Sequence, residues 1–337
     1  MKQFRLNDPE GINSLELVER DEPKPASHEV LVRVHATSLN YRDLMVVEGR
    51  YARGASKPDL VPLSDGAGEV VTVGDGVSRF KVGDRVAAIF MQRWIGGAIT
   101  PDAQASALGG AIDGMLSEYV VLHEEGLVPV PNHLSYAEAA TLPCAAVTAW
   151  HALVTQGHLS AGETVLVLGS GGVSVFALQF AKLFGANVIA TSSSDDKLLR
   201  LQALGASGLI NYTNTPDWNT AVLDLTGGTG ADHIVEVGGA GTLTRSLACV
   251  RVDGFVYVIG LLSGAAEIDP MPILRRMVTV QGVYVGSREM YEAMNRAIEA
   301  HQLCPVIDRS FPLEDTREAF AYFKSQAHFG KVVIALA

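Results

Sequence analysis

The sequence predicts an α/β protein with one strand-rich domain and one domain built on a parallel sheet. In the first third of the chain, short strands are separated by turns, and the run at 30–36 alternates apolar and polar residues, which is typical of a partly closed β-barrel. From about residue 165, apolar strands alternate with segments of helical periodicity, which indicates βαβ units. The 337 residues suffice for two domains. We place them at 1–125 together with 271–337, and at 126–270.

Composition and charge exclude several classes of protein. With 26 Lys and Arg against 37 Asp and Glu, the net charge is −11, which argues against nucleic acid and against an anionic membrane surface as partners. The hydrophobic content of 48% excludes general disorder. The three cysteines form no Cys-x-x-Cys pair, and the first residues lack the apolar core of a signal peptide. We therefore expect a cytoplasmic protein with a small-molecule substrate.

Each strand of the first domain is predicted from its alternation and from the turn beside it. After 30–36, the run 69–77 ends in a Gly-Asp-Gly turn, and the run 82–90 is a turn followed by a strand. The segment 92–115 is rich in Gly and Ala and is expected to be an irregular loop beside a pocket. The last strand, 331–336, is expected to rejoin this domain although it is distant in sequence.

The second domain is predicted from apolar runs and helical spacing. An apolar helix is expected at 143–154. Strands are expected at 165–168, 188–191, 209–212, 233–237 and 255–259, with helices at 173–184 and 198–204. The uncharged stretch 164–181 is long enough to resemble a membrane span. Because glycines and serines interrupt it, we interpret it as a strand, a turn and a helix.

The strongest motif is the glycine-rich turn between that strand and that helix. It reads Gly169-Ser170-Gly171-Gly172-Val173-Ser174. Gly169 permits the tight turn, Gly171 lets the backbone approach a diphosphate, and the helix N-terminus offers N–H donors. Ser174 stands where the third glycine is usual. In this βαβ context the turn predicts a dinucleotide site.

The end of the next strand bears on which dinucleotide is bound. An acidic residue there would hold the ribose 2′-hydroxyl of NAD. Here the positions are Ser192, Ser193 and Ser194, with Lys197 nearby, and these residue types suit the 2′-phosphate of NADP. The alternative is simple capping, in which Ser194 begins a helix and the acids at 195–196 favour its positive end. We favour NADP.

Several segments together resemble the medium-chain dehydrogenase/reductase superfamily, in its zinc-independent, quinone-oxidoreductase-like branch. They are the glycine-rich turn and the runs 38–44, 68–77, 80–86, 142–150 and 330–333. The resemblance covers essentially the whole chain. It implies a GroES-like catalytic domain formed by both chain ends, a Rossmann domain, an active site in the cleft between them, and a homodimer.

The resemblance also bears on zinc. Zinc-dependent members carry Cys, His and Cys as ligands of the catalytic metal, and the matching positions here are Asn40, Ser64 and Cys144. One thiolate cannot form the three-ligand site that catalytic zinc requires. The cysteine-rich lobe that holds structural zinc is also missing, since 91–116 contains no cysteine. We therefore expect no zinc.

Without a metal, hydride addition to a conjugated acceptor is easier to arrange than alcohol oxidation, because hydrogen-bond donors can stabilise the resulting oxyanion. The resemblance implies Tyr51 as proton donor, and Asn40 as a residue that orients the nicotinamide or bonds the substrate carbonyl. Asp43 and Asp65 are interpreted as supporting residues. Further cofactor contacts implied by the resemblance are Tyr212, Gly238, Ile259, Gly260, Leu261, Phe329 and Lys331.

The predicted function is an NADPH-dependent reductase of quinones or α,β-unsaturated carbonyls. A rival is an enoyl-thioester reductase, whose carrier groove would need basic residues at its mouth. Candidates for these are Arg42, Arg50, Arg53, Lys57 and Arg93. An alternative of another class is an NADPH-binding sensor or structural protein with little turnover. A zinc alcohol dehydrogenase is disfavoured by the missing ligands.

Overall fold

The computed structural model describes residues 1–51, 57–260, 262 and 267–336. Contacts divide the chain into two compact units, Met1–Val147 with Val285–Ala337, and Thr148–Tyr284. These boundaries lie further along the chain than the 125/126 and 270/271 expected from the sequence. Strand pairing accounts for the difference, because the strand at 127–129 pairs in the first unit and the strand at 279–282 pairs in the second.

The structure contains fifteen strands and eleven α-helices among the described residues. The strands are β1 Lys2–Leu6, β2 Leu15–Glu19, β3 Glu29–Ser38, β4 Asp65–Val73, β5 Arg85–Ala88, β6 Tyr119–His123, β7 Leu127–Pro129, β8 Thr164–Leu168, β9 Asn187–Ser192, β10 Gly208–Asn211, β11 Ala231–Glu236, β12 Val250–Val258, β13 Thr279–Gly282, β14 Ile307–Pro312 and β15 Lys331–Ala335. The helices are α1 Tyr41–Val47, α2 Pro101–Gln104, α3 Tyr136–Ala139, α4 Val147–Trp150, α5 Gly172–Leu183, α6 Asp195–Ala203, α7 Trp218–Leu225, α8 Ala240–Cys249, α9 Met271–Arg276, α10 Arg288–His301 and α11 Thr316–Lys324, with π-helical turns at Leu142–Ala146 and His151–Gln156.

The first unit is organised around a mostly antiparallel sheet. Its strand order is β14-β15-β3-β4-β5-β7, with β6 paired to β3. The C-terminal strand β15 returns to this unit, as the sequence predicted. It lies antiparallel to β3, with Val333 opposite Ser38. Because the two strands are antiparallel, the start of β15 lies beside the end of β3. The segment 92–115 is irregular apart from α2.

The second unit contains a six-stranded sheet in which every pair is parallel. The strand order is β10-β9-β8-β11-β12-β13, so the chain starts in the middle, runs to one edge and then continues from the middle to the other. This is the doubly wound arrangement, in which ligands bind beyond the carboxyl ends of the strands. The predicted parallel sheet is therefore confirmed. The run 277–285 contributes β13, the last strand of the sheet.

The uncharged stretch 164–181 is divided between β8 and α5. Glycines of the connecting turn separate the two elements, as expected. In the part of the chain that the structure describes, no helix is long and apolar enough to cross a membrane.

Candidate functional site

The glycine-rich turn connects β8 to α5 at the carboxyl edge of the parallel sheet. Gly169 has a φ of 76°, a left-handed conformation that a side chain would strain. Gly171 is the N-cap of α5, and among the described residues no side chain caps the first turn. A Cβ added at Gly171 would meet no atom of the described residues within 4 Å. The first N–H groups of the helix and the space beside them are therefore suited to a diphosphate.

Ser174 stands in place of the third glycine of the motif, and α5 still packs closely against β8. Its hydroxyl is buried and donates a hydrogen bond of 2.6 Å to the carbonyl oxygen of Leu168, the last residue of β8. This bond ties the first turn of α5 to the strand. The serine is therefore compatible with the close approach that a glycine normally permits.

The residues predicted to select NADP follow β9 and β10. Ser194 caps α6, since its Oγ accepts a hydrogen bond from the backbone N of Lys197, so the capping alternative describes one real contact. Ser192 is buried, whereas Ser193 is exposed and the side chain of Tyr212 is 43% exposed. The carboxylate of Asp195 accepts a hydrogen bond of 2.6 Å from Asn211. Serine hydroxyls, Lys197 and Tyr212 thus remain candidates for a phosphate site.

The turns that follow β11 and β12 are both hydrogen-bonded to one buried residue, which could not be recognised from the sequence. Glu236, the last residue of β11, accepts hydrogen bonds from the backbone N–H groups of Gly238 at 2.8 Å and Gly239 at 3.0 Å, and from the hydroxyls of Thr242 and Ser246 at 2.5 Å each. Its carbonyl oxygen accepts from the backbone N of Ile259 at 2.9 Å. One residue therefore fixes both turns that carry predicted cofactor contacts.

Close packing explains the glycine that follows Ile259. A Cβ at Gly260 would collide with the carbonyl oxygen of Val237, so the two strand ends approach each other only because residue 260 has no side chain. Leu261, also predicted as a cofactor contact, lies outside the described residues.

A second group of polar residues lies in the first unit, at the junction of β3 and β15. The ammonium of Lys331 is almost completely buried and donates hydrogen bonds to Asn40 Oδ1 at 2.6 Å and to the carbonyl oxygen of Leu39 at 2.8 Å. It also lies 3.5 Å from Asp65 Oδ2. Two residues for which the sequence implied separate roles, Asn40 and Lys331, are thus in direct contact.

The other end of the Asn40 amide has no such contact. Asn40 is 8% exposed, and its Nδ2 is buried with no hydrogen-bond partner among the described residues. A buried donor without a partner is uncommon in folded proteins and calls for an explanation, such as a ligand that completes the hydrogen bond.

Asp43 contacts both Asn40 and the buried Arg42, and Arg42 in turn packs against Tyr51. Its carboxylate accepts from the backbone N of Asn40 at 2.8 Å and from the Arg42 guanidinium at 3.1 Å. Burial raises the pKa of Asp43 to about 6, against the opposing effect of Arg42. The Arg42 guanidinium lies 4.8 Å from the centre of the Tyr51 ring, within cation–π range. The predicted proton donor therefore packs against a buried cation.

At the positions where zinc-dependent relatives carry metal ligands, the side chains of this protein make hydrogen bonds or remain protonated. Ser64 donates its hydroxyl hydrogen to Asp65 Oδ1 at 2.9 Å. Desolvation and the nearby Asp65 raise the pKa of the Cys144 thiol, so a proton remains on the sulfur at neutral pH. Across the described residues, His, Cys, Asp and Glu do not form any group of three that could hold a metal ion.

The sequence predictions for the site fall into two groups in the structure. Residues predicted to bind the cofactor at 169–173, 192–194, 197, 212, 238 and 259–260 lie at or shortly after the carboxyl ends of adjacent parallel strands, on the same side of the sheet. Asn40, Tyr51 and Lys331 belong to the first unit, as does Phe329, whose side chain is buried. The roles of these residues remain predictions.

Comparison with known proteins agrees with this geometry. Residues 26–132 match the alcohol dehydrogenase GroES-like domain, and residues 172–300 match the zinc-binding dehydrogenase domain. A zinc-type alcohol dehydrogenase-like protein of Schizosaccharomyces pombe is 44% identical over 97% of this chain and 96% of its own length. The quinone oxidoreductase of Rattus norvegicus is 30% identical over 93% of this chain and 91% of its own.

A solved structure shares the whole architecture. The crystal structure of an NAD-dependent alcohol dehydrogenase superposes with a TM-score of 0.91 at 34% identity, and the match covers 100% of each chain. These matches and the doubly wound sheet define an oxidoreductase of a class that binds a nicotinamide cofactor. The chain belongs to the medium-chain dehydrogenase/reductase superfamily, and the predicted combination of a Rossmann and a GroES-like domain is confirmed.

Proposed function

We propose that this protein is a zinc-independent, NADPH-dependent reductase of quinones or α,β-unsaturated carbonyl compounds. The observation that carries the proposal is the buried Nδ2 of Asn40, which has no hydrogen-bond partner in the described part of the chain and lies at a position where zinc-dependent relatives have a ligand. A hydrogen-bond donor at this position suits an oxygen that becomes negative during the reaction.

The cofactor fits the second unit. The open space at Gly171 and the uncapped N-terminus of α5 suit a diphosphate. Ser193, Lys197 and Tyr212 are our candidates for holding the 2′-phosphate, and the turns fixed by Glu236 would support the nicotinamide end. When bound, NADPH supplies a hydride to the acceptor.

The first unit supplies the groups that act on the acceptor. Asn40 Nδ2 would donate a hydrogen bond to the carbonyl oxygen, and this bond would strengthen as negative charge develops on that oxygen. The hydroxyl of Tyr51 would then transfer its proton to the enolate or phenolate formed by hydride addition, and the resulting tyrosinate would take up a proton from water. Burial of Asn40 strengthens the electrostatic interaction, because the local dielectric is lower than in bulk water.

The donor set does not fit catalytic zinc. Asn40 already accepts a hydrogen bond from the Lys331 ammonium and Ser64 donates to Asp65, so Cys144 alone of the three positions offers a side chain typical of a zinc ligand. A cation at this place would be repelled by the ammonium of Lys331. We therefore propose that no reaction step uses a metal, although the family model is that of a zinc-binding dehydrogenase.

The rival thioester function receives less support. The basic residues expected at the mouth of a carrier groove are already paired with acids in the described part of the chain: Arg42 with Asp43, Arg50 with Glu48, Lys57 with Asp113, and Arg93 with Asp102. Arg42 is moreover buried, and Arg53 lies outside the described residues. A carrier phosphate would have to displace these carboxylates.

The test is oxidation of NADPH, with NADH in parallel, by protein freed of metal. A simple enone, a quinone and a crotonyl thioester are offered separately, and the products are identified. We expect a saturated carbonyl from the enone or a hydroquinone from the quinone, a loss of about 10²-fold or more in kcat for Tyr51→Phe, and unchanged kcat for the control Tyr119→Phe. Turnover of the thioester alone would instead establish the rival function.

Two other outcomes would overturn parts of the proposal. If NADPH binds and none of the three compounds is reduced, the result favours either a narrower substrate outside this set or the sensor or structural function. If activity requires about one zinc per chain, the donor interpretation of Asn40 is wrong. The parallel assay with NADH is needed because the aligned crystal structure is that of an NAD-dependent enzyme.

We also propose a homodimeric, cytoplasmic protein without nucleic-acid or membrane partners. The edge position of β13 supports self-association, and the net charge of −11 disfavours polyanionic partners. The small number of cysteines is typical of a reducing compartment.

A further inference from the structure

We propose that Lys331 is a positioning residue that fixes the orientation of the Asn40 amide, so that the amide presents its Nδ2 donor to the acceptor oxygen. The sequence implied only a cofactor contact for Lys331. The inference rests on the proposed function, and it assigns Lys331 an action through Asn40 rather than a contact with the reacting atoms.

The chemistry of the two side chains leaves one orientation. An ammonium has three donors and no acceptor, and an amide has an acceptor at one end and donors at the other. The distance of 2.6 Å between Lys331 Nζ and residue 40 requires an acceptor, which is Oδ1. If the amide were rotated by half a turn, two donors would face each other. Nδ2 must therefore be the end that is free to bind a ligand.

Lys331 is itself held in place. Its Nζ donates to the Leu39 carbonyl oxygen at 2.8 Å and lies 3.5 Å from Asp65 Oδ2. Asp65 in turn accepts hydrogen bonds from Ser38 at 3.2 Å and Ser64 at 2.9 Å. The lysine side chain is 3% exposed and that of Asp65 is completely buried. A buried ammonium with this set of neighbours has little freedom to reach another partner.

The positive charge also has an electronic effect. An ammonium bound to Oδ1 draws electron density from the amide, and hydrogen bonds in series strengthen one another. The Nδ2 hydrogens therefore become better donors towards an oxyanion. Asn40 alone would supply a donor of uncertain direction, whereas Asn40 with Lys331 supplies a directed and polarised one.

The test compares Lys331→Met with the conservative Lys331→Arg, each in the wild-type and in the Asn40→Ala background. Binding of NADPH is measured by fluorescence titration without acceptor, and kcat and KM are measured with the acceptor. We expect Lys331→Met to lower kcat by about 10- to 100-fold, to leave the Kd of NADPH within about 2-fold, and to have no further effect once Asn40 is alanine. Lys331→Arg should restore most of kcat.

Lys331→Met leaves the buried carboxylate of Asp65 without its cation, which could destabilise the fold. A double variant, Lys331→Met with Asp65→Asn, therefore removes both charges together. We expect the double variant to fold and to lose as much kcat as Lys331→Met alone. A rise of about 10-fold or more in the Kd of NADPH at unchanged kcat would overturn the proposal and make Lys331 a cofactor ligand. Additive effects of Lys331→Met and Asn40→Ala would also overturn it.

One readout does not depend on turnover. In protein labelled with ¹⁵N-asparagine, the side-chain NH₂ signal of Asn40 is identified by its disappearance in Asn40→Ala. We expect this signal to shift in Lys331→Met and to return towards its wild-type position in Lys331→Arg. An unchanged signal would overturn the positioning role even if the reductase function fails, and a shifted signal without turnover would show that only the proposed function has failed.

Discussion

Buried charges in the first unit show how single residues set the properties of this site. Asp43 is 1% exposed and contacts both Arg42 and the backbone of Asn40. Burial penalises the carboxylate more than Arg42 favours it, so the pKa of Asp43 rises from 3.8 to about 6. The folded protein consequently binds this proton more tightly than the unfolded chain does.

This shift predicts a pH dependence of stability. The contribution of Asp43 is fully present below pH 3.8 and is lost as the pH rises through about 6. The free energy of unfolding of the wild type, relative to that of Asp43→Asn, should therefore fall by at most about 3 kcal/mol between pH 4 and pH 7. Urea denaturation of both proteins across this range measures the difference.

Asp84 offers a control of opposite sign. A hydrogen bond from Lys81 lowers the pKa of Asp84, so its contribution is present above its unfolded pKa and is lost as the pH falls. Asp84→Asn should not reproduce the trend of Asp43→Asn. Parallel pH profiles for wild type and Asp43→Asn would contradict the raised pKa.

A second prediction at this scale separates cofactor binding from folding at Gly171. Its φ of −78° is accessible to alanine, and a Cβ there would meet no protein atom within 4 Å. Gly171→Ala should therefore cost less than about 1 kcal/mol of stability, while it weakens NADPH binding by about 10-fold or more, because the methyl group occupies space meant for the diphosphate.

The matched control is Gly282→Ala in β13, where a Cβ also meets nothing within 4 Å. It should leave the Kd of NADPH unchanged. Normal NADPH binding by Gly171→Ala would show that the turn does not hold the diphosphate.

Selection of NADPH over NADH is predicted to depend on Lys197. Its side chain is half-buried in the first turn of α6, and the exposed Ser193 precedes that helix in the chain. Lys197→Ala should raise the KM for NADPH by about 10-fold, since it removes a charged hydrogen bond to phosphate, and leave the KM for NADH nearly unchanged. Lys24→Ala, which removes an exposed lysine from the first unit, should alter neither value. Equal effects on both cofactors would refute a 2′-phosphate contact.

At the scale of elements, the turn after β11 is predicted to depend on the charge of Glu236. Its two carboxylate oxygens accept from two backbone N–H groups and two hydroxyls. In Glu236→Gln an NH₂ group would face some of these donors, so we expect a loss of about 2–3 kcal/mol in stability together with weaker NADPH binding. Urea denaturation and fluorescence titration measure the two effects.

Asp253→Asn is the matched control for Glu236→Gln, because Asp253 is an exposed acid of the same unit. Neither its stability nor its NADPH affinity should change by a measurable amount. If Glu236→Gln behaves like this control, the carboxylate does not hold the turn.

The sequence predicted those elements whose signals are local. Helical spacing and flanking glycines were enough to predict α5 and the strands on either side of it, and the helix cap at Ser194, considered only as the alternative to a phosphate contact, is present in the structure. The glycine-rich turn indicated its ligand class because the strand, turn and helix are contiguous in the chain.

Contacts between distant segments could not be predicted in the same way. The hydrogen bond between Asn40 and Lys331 joins residues 291 positions apart, and it exists only because β15 lies antiparallel to β3 in one register. Glu236 was missed because a single glutamate at a strand end carries no pattern. Arg42 was considered as a basic residue at the mouth of a carrier groove, whereas in the structure it is buried and packs against Tyr51 and Phe90.

At the scale of the whole molecule, the second unit ends in a strand with one unpaired side. Among the described residues β13 pairs only with β12, and the preceding helix α9 exposes Leu274, whose exposed fraction is 71%. Met277, directly after α9, is 64% exposed. An uncovered strand edge beside apolar side chains is a typical association surface, because pairing satisfies backbone groups and removes apolar surface from water.

We therefore predict that the protein sediments as a dimer through this edge, and that Leu274→Glu shifts it towards the monomer. The substitution places a carboxylate on the apolar surface of a chain that already carries a net charge of −11, so self-repulsion adds to the loss of buried area. Leu199→Glu is the matched control, because Leu199 is 61% exposed on α6 of the same unit. Sedimentation velocity over a range of concentrations distinguishes the three proteins. A wild type that remains monomeric, or dissociation by Leu199→Glu alone, would place the association surface elsewhere or exclude it.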